Sequence, residues 1–135
     1  MATALDLEVA TPSRLAVADT ADEVVIPGSQ GYFGVLPGHA PLLATLGVGE
    51  LMYRKGTNQF HLALTGGFAE VRNDKVIVLP ENAERPDEID RDRALKSRER
   101  AEHRLSGREG DADFARAQAA LARALIRLQV SGYER

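Results

Sequence analysis

The 23 consecutive residues Val24–Leu46 constrain the fold of this chain more than any other stretch. The run VVIPGSQGYFGVLPGHAPLLATL carries three prolines, four glycines, one histidine and no charged side chain. Proline removes a backbone donor and fixes φ, so no helix runs through it. Pro27-Gly28 and Pro37-Gly38 are turn dipeptides, and the run therefore reads as short strands joined by tight turns. An apolar surface of this kind needs something to sit against. Its prolines stiffen it, which lowers the ordering entropy lost on binding. Tyr32, Phe33, Val35, Leu36, Pro37, His39, Pro41 and Leu42 are accordingly the candidate contact residues for a neighbouring polypeptide.

The sequence around this run has the same period of two. Leu5, Leu7 and Val9 share one face, Leu15 and Val17 follow the break at Pro12, and Phe60, Leu62 and Leu64 alternate with His61 and Ala63. Val24–Pro27, Tyr32–Leu36, Leu42–Leu46, Glu50–Arg54, Phe68–Arg72 and Val76–Leu79 are further short strands. The last two are joined by Asn73-Asp74 as a two-residue hairpin turn. Gly66-Gly67 marks a turn or bulge. Nine or so short strands at this spacing predict a β-sandwich or flattened barrel.

The period changes after Pro86. Glu88–Leu105 contains no Gly or Pro, with Asp87 as the expected N-cap and a thin stripe of Ile89, Ala94, Leu95, Ala101 and Leu105. Ser106-Gly107 stops that helix. A second is expected from about Gly110-Asp111, capped by Asp111 or Asp113, with Phe114, Ala117, Leu121, Ala124 or Leu125, and Leu128 on one face. The tail thus reads as an αα-hairpin with a loop of about five residues. Its Ala-rich seam buries little area, so the two helices are expected to be weakly held together.

Charge separates the same halves. Up to Glu84 there are five basic and ten acidic residues; from Arg85 onward there are twelve and ten. An overall charge of −3 argues against a nucleic-acid partner. No apolar run approaches the roughly 18 residues needed to cross a bilayer, and the first residues lack the basic and apolar blocks of a secretory signal, so a soluble, cytoplasmic chain without membrane insertion is expected. With no cysteine, disulfides and thiolate metal sites are excluded, and His39, His61 and His103 share no metal-ligand spacing. His39 stands in a turn without a carboxylate or second histidine and reads as a surface hydrogen-bonder or contact residue. No G-x-x-x-x-G-K-[ST] phosphate loop is present, and the sandwich carboxylates form no convincing pair, so catalysis by this chain is not expected.

The arginines of the tail carry the remaining chemistry. Asp90 and Arg93 are three apart and neighbour each other on a helix, Arg100 lies two turns beyond Arg93, and Arg123 and Arg127 are four apart. If the hairpin closes, three guanidinium groups converge near one carboxylate. Arginine suits phosphate because its planar fork donates two bonds at once. Solvated surface pairs are the plainer account of the same spacing.

The wording P-G-x-x-G-x-F-G-V-L-P-G-H-A-P-L-L, with TGGFAEVRNDKVIVLPENAE, EIDRDRALKSRERAEHRL and DADFARAQAALARALIRLQV after it in order, resembles the epsilon subunit of the bacterial F-type ATP synthase over essentially the whole chain. The resemblance implies a ten-stranded β-sandwich over residues 1–86 and a two-helix antiparallel hairpin over residues 87–135. It implies a non-catalytic rotor subunit on the cytoplasmic face of the plasma membrane, docked by the loop on the gamma subunit and the c-ring. The C-terminal helices would reach beta and alpha, with Arg116, Arg123 and Arg127 as contacts, and brake ATP hydrolysis. It implies no obligatory cofactor and no metal. A weak regulatory ATP site would be drawn from Glu84, Ile89, Asp90, Arg93, Arg100, Arg123 and Arg127. An independent nucleotide sensor is the second reading of the same residues.

Overall fold

The computed structural model describes residues 4–107 and 111–133. They form two compact units that meet in sequence at Glu84 and Arg85. The first is a sandwich of two five-stranded sheets. Its strands are β1 (Leu5–Ala10), β2 (Leu15–Ala21), β3 (Glu23–Gly28), β4 (Gly31–Val35), β5 (Leu42–Thr45), β6 (Gly49–Lys55), β7 (Asn58–Thr65), β8 (Phe68–Arg72), β9 (Lys75–Leu79) and β10 (Asn82–Glu84). One sheet has the order β2-β1-β9-β8-β5 and the other β10-β7-β6-β3-β4.

Alternation builds the core. Leu5, Leu7 and Val9 on β1 join Val76, Val78, Ala69 and Val71 from one sheet. They close against Val24, Ile26, Val35, Leu51, Tyr53, Leu62 and Leu64 from the other. Tyr53 and Phe60, directly opposed on β6 and β7, stack with ring centroids 4.8 Å apart. Leu15, expected inside with Val17, is exposed instead. The β1–β2 register shifts between Val9 and Ala10, so Leu15 is paired with the outward-facing Ala10. His61 does leave the core face, but it is mostly covered and sits 3.2 Å from Glu50 through Nδ1.

Turn chemistry follows the residues. Asn73 and Asp74 both adopt positive φ, as a two-residue hairpin of this type demands. Gly67 has φ +102°, and a Cβ there would lie 2.1 Å from the Leu79 carbonyl oxygen, so only glycine fits.

The second unit begins with a single 3₁₀ turn, Pro86–Glu88. Its capping contact is Glu88 Oε1 accepting from the Arg85 N–H at 2.8 Å. Asp87 is therefore not a helix N-cap. Ile89 is extended, and the helix starts three residues later than the spacing suggested, as α1 (Arg91–Ser106). Its cap is Asp90, which accepts from the Arg93 N–H at 3.1 Å. The second helix is α2 (Asp111–Ser131). Of the expected start signals, Gly110 lies outside the described residues. α1 and α2 pack together along Ala94, Ala101, Ala117 and Ala124, all buried. Ile89, Ile126 and Val130 are also buried; of the alternatives Ala124 and Leu125 the inward one is Ala124, and Phe114, expected on the apolar stripe, is exposed.

Candidate functional site

Two places carry functional geometry, one in each unit. The first is the open edge of the sandwich. β4 ends one sheet and β5 ends the other, and the loop between them carries the chain across. Leu36-Pro37-Gly38-His39 makes a β-turn, with the His39 N–H donating to the Leu36 carbonyl at 3.1 Å and Gly38 at φ +88°. Asp74 pins this turn by accepting from the Gly38 N–H at 2.7 Å. At the other end, the Ser29 N–H donates to Thr45 O at 2.8 Å, and the Ser29 and Thr45 hydroxyls are hydrogen-bonded. The edge is thus held at one end to the β8–β9 turn and at the other by the link from the β3–β4 turn to β5.

Along this edge the apolar side chains face outward. Tyr32, Leu36, Leu42 and Leu43 are exposed, Leu43 to 70%. Tyr32 is held in place, because its hydroxyl accepts from the Glu50 N–H at 3.0 Å. A groove of about 580 Å³ runs between Gly28–Phe33 and Leu42–Thr45. Exposed apolar edge strands invite pairing with another chain and are normally covered. Phe68, paired with Thr45, and Leu79, paired with Phe68, continue the exposed apolar surface across β8 and β9.

The expected contact residues divide by direction. Val35 offers no contact area: it is 0% exposed, because on β4 the odd residues turn inward. Phe33 follows it and is half-buried against the core. Pro37 and His39 are half-buried and Pro41 is exposed. His39 Nδ1 lies 2.6 Å from the Ala40 carbonyl, so that nitrogen carries the hydrogen. Leu43, Phe68 and Leu79 were not among the sequence candidates. Alternation from Val76 would have placed Leu79 outside, but only the β5–β8–β9 register brings the three residues onto one surface.

The second place is a groove of about 350 Å³ between α1 and α2. Arg100, Arg123 and Arg127 line it, as the spacing predicted for a closed hairpin, and Arg104 joins them. Arg104 stands four residues after Arg100, so the helical period carried the signal. Ser97, Ala101, Ala120 and Ala124 complete the wall, and Arg100 Nη2 donates to Ser97 Oγ at 3.1 Å.

The I-D-x-x-R-A segment contributes differently from expectation. Asp90 and Arg93 do not line the groove. One Asp90 oxygen is spent on capping α1, so the predicted carboxylate–guanidinium pair is a cap bond to backbone instead. Ile89 is buried. Glu84 is the last residue of β10 in the sandwich unit, 3.4 Å from Asn82 Nδ2. The residue of this segment that sequence reasoning missed is Arg91. Its Nη1 donates to Ser131 Oγ at 2.9 Å and to Leu128 O at 3.4 Å, clasping the C-terminal end of α2, where Ser131 Oγ itself donates to Leu128 O at 2.9 Å.

Among the described residues no group of three or more His, Asp or Glu is placed to hold a metal ion, and no helix is long and apolar enough to cross a membrane. Lys55 is displaced from the usual lysine range. Its hydrogen bond to Asp19, at 2.8 Å, raises the amine above the ordinary lysine value.

Comparison with known proteins accounts for both units. Residues 4–86 match the family described as ATP synthase, Delta/Epsilon chain, beta-sandwich domain, and residues 87–132 match ATP synthase, Delta/Epsilon chain, long alpha-helix domain. The ATP synthase epsilon chain of Nitratidesulfovibrio vulgaris (strain DP4) is 48% identical over 132 residues, covering 98% of each chain. ATP synthase epsilon chain 2 of Syntrophotalea carbinolica is 50% identical over 135 residues, covering 98% of this chain and 96% of the relative. Among solved structures, a chain of the Euglena gracilis mitochondrial ATP synthase (OSCP/F1/c-ring, rotational state 1) superposes with TM-score 0.84 at 22% identity. The match covers 98% of this chain and 84% of that one. A chain of the Tetrahymena thermophila mitochondrial ATP synthase central stalk/c-ring gives TM-score 0.67 at 12% identity, covering 94% and 96%. At these identities the two structures speak for the fold.

Proposed function

The chain belongs to the ATP synthase delta/epsilon family as an epsilon chain, a non-catalytic central-stalk subunit of the F-type ATP synthase, and from that premise we propose how its two units serve the rotor. The sandwich is the docking platform. Its open β4–β5 edge, extended by Leu43, Phe68 and Leu79, sits on the foot of the gamma subunit and the top of the c-ring. The observation that carries this is an apolar edge stitched at both ends by Asp74 and by Ser29–Thr45. A part that passes torque between neighbours must bind without remodelling, and such an edge meets that need. The chain's contribution to proton-driven ATP synthesis is mechanical, at the cytoplasmic face of the bacterial plasma membrane and held there through its partners.

The hairpin is the regulatory element. Its closed form keeps α1 and α2 together through the Arg91 clasp and an alanine seam. In an extended form, Arg116, Arg123 and Arg127 on α2 would be free to meet acidic surfaces of beta and alpha and to brake hydrolysis. ATP bound weakly by Arg100, Arg123 and Arg127 would favour the closed form and oppose the brake, because a ligand shifts an equilibrium only by its differential affinity.

Two measurements test this. Leu43→Asp should weaken capture of the chain by purified gamma by at least about tenfold, or about 1.4 kcal/mol, because it puts a charge at the centre of the apolar surface. Unchanged capture would overturn the docking surface. Deleting residues 87–135 should raise ATP hydrolysis by the reconstituted complex, and an unchanged rate would remove the braking role.

A further inference from the structure

The β8–β9 turn holds a residue that its own backbone does not favour. Asn73 has φ +52° and Asp74 φ +61°. In a two-residue hairpin of this kind the second position favours glycine, because a Cβ crowds the backbone at positive φ. Asp tolerates the left-handed region better than most residues, but glycine would sit there without strain. A side chain kept at such a place points to a use for it. Asp74 reaches out of its turn through both backbone and side chain. Its carbonyl accepts from the Asp6 N–H at 2.9 Å, and any residue would supply that carbonyl. Its carboxylate accepts from the Gly38 N–H at 2.7 Å, 36 residues away in sequence, and this bond needs the side chain.

The bond falls on the one peptide that decides the shape of the Leu36–His39 turn. That turn is closed by the His39 N–H on the Leu36 carbonyl, so Pro37 and Gly38 are its central residues. The Gly38 N–H belongs to the peptide between them. Type I and type II turns differ by a flip of this peptide and share the same closing bond. Proline suits the first central position of both, and glycine at the second takes either sign of φ. The dipeptide Pro37-Gly38 therefore leaves the choice open. Gly38, at φ +88°, is in the type II form. Across a trans peptide the N–H and C=O point opposite ways. A flip would thus bring the Pro37 carbonyl to the Asp74 carboxylate, acceptor against acceptor. The carboxylate selects type II and turns the Pro37 carbonyl away from the β8–β9 turn.

We propose that Asp74 is a positioning residue for docking: it holds the Leu36–His39 turn in one of two forms and presents the Pro37 carbonyl as an acceptor to a donor on the gamma subunit. This rests on the docking role of the β4–β5 edge proposed above. Exposed Leu36 opens the same turn, so the polar and apolar contacts are set together. A turn already fixed in its docking form loses less entropy on binding.

The test compares Asp74→Gly and Asp74→Asn in the full-length chain. Glycine accepts the positive φ and keeps the backbone carbonyl, so it removes the carboxylate alone. Asparagine tolerates the same φ and keeps a side-chain oxygen able to accept. Asp74→Gly should speed amide exchange at Gly38 at least about tenfold and leave the Val76 and Val78 amides of β9 as they were. It should also weaken capture by purified gamma at least about threefold, whereas Asp74→Asn should stay within about twofold of the parent chain. Leu43→Asp is the reference for the docking surface itself. Unchanged exchange at Gly38, or faster exchange at Gly38, Val76 and Val78 alike, overturns Asp74 as the lock on the turn. Faster exchange at Gly38 alone with undiminished capture, while Leu43→Asp weakens capture, overturns its docking role and leaves the docking surface standing. Capture weakened by Asp74→Gly but not by Leu43→Asp supports the turn and overturns the apolar surface. Equal losses in the two Asp74 variants overturn the hydrogen bond as the cause, and no loss from Asp74→Gly or Leu43→Asp overturns both readings.

Discussion

The sandwich and the hairpin bury their seams with different materials. The sandwich core is Leu, Val, Ile and Tyr drawn from two facing sheets, and every one of its strands pairs with a neighbour. The hairpin seam is mostly alanine, Ala94, Ala101, Ala117 and Ala124, with Ile89, Ile126 and Val130 as its larger buried side chains and an arginine clasp at one end. A buried methyl contributes about 0.8 kcal/mol, against about 1.5–3 kcal/mol for a buried Leu or Val. The difference teaches why one unit can serve as a fixed platform while the other can open. Helical propensity, from Arg, Leu, Lys and Glu in α1 and from alanine in α2, keeps each helix formed, but little apolar area holds the pair together.

The largest effect expected from this contrast lies in the sandwich. Leu62→Ala should cost about 2–5 kcal/mol in urea unfolding of the full chain, whereas Ala117→Gly should cost about 1 kcal/mol, most of it as intrinsic helix propensity. Similar losses from the two would break the comparison. Next in size is the clasp. Arg91→Ala removes a charge-assisted contact at an exposed position and should lower the stability of the closed hairpin by about 0.5–1.5 kcal/mol, read as faster amide exchange near Leu128 and Ser131. Protection left as it was would mean that the alanine seam alone closes the hairpin.

The smallest effect belongs to the exposed Lys55–Asp19 pair. The folded Lys55 value is raised, so any stability it adds is already present at neutral pH and is lost only as pH climbs through that raised value. Asp19→Asn should therefore lower the neutral-pH unfolding midpoint slightly at most, and that difference should vanish in strongly alkaline solution, where Lys55 has lost its charge. A difference that persists there would show that Asp19 acts through something other than this amine.

Much of the sandwich was legible in the residues, since period two is a local property. Phe60–Leu64 and the Asn73-Asp74 turn read directly. Val35 could have been read too, because alternation from Phe33 sends both inward. Leu15 could not, because its direction depends on a register shift between Val9 and Ala10. β10, three residues long, is too short to show a period and exists through its pairing with β7. The parallel pairing of β1 with β9 leaves no local trace. In the tail, acidic residues crowd the helix start, so composition did not separate Asp87 from Asp90. Pro86 decided it by closing a 3₁₀ turn first.

What the sequence determined by itself is whatever depends on neighbours along the chain: a β half and a helical half, a stiff apolar run that demands a cover, and arginines at helical spacing on two helices. What only the tertiary structure decided is whatever depends on partners far apart in sequence. It brought the β4 and β5 edges together, set Leu43, Phe68 and Leu79 on one surface, and gathered Arg104 with Arg100, Arg123 and Arg127 while leaving Asp90 to its cap. The physical reason is that periodicity sets the direction of a side chain from its own strand or helix, while register and helix pairing set whom it meets.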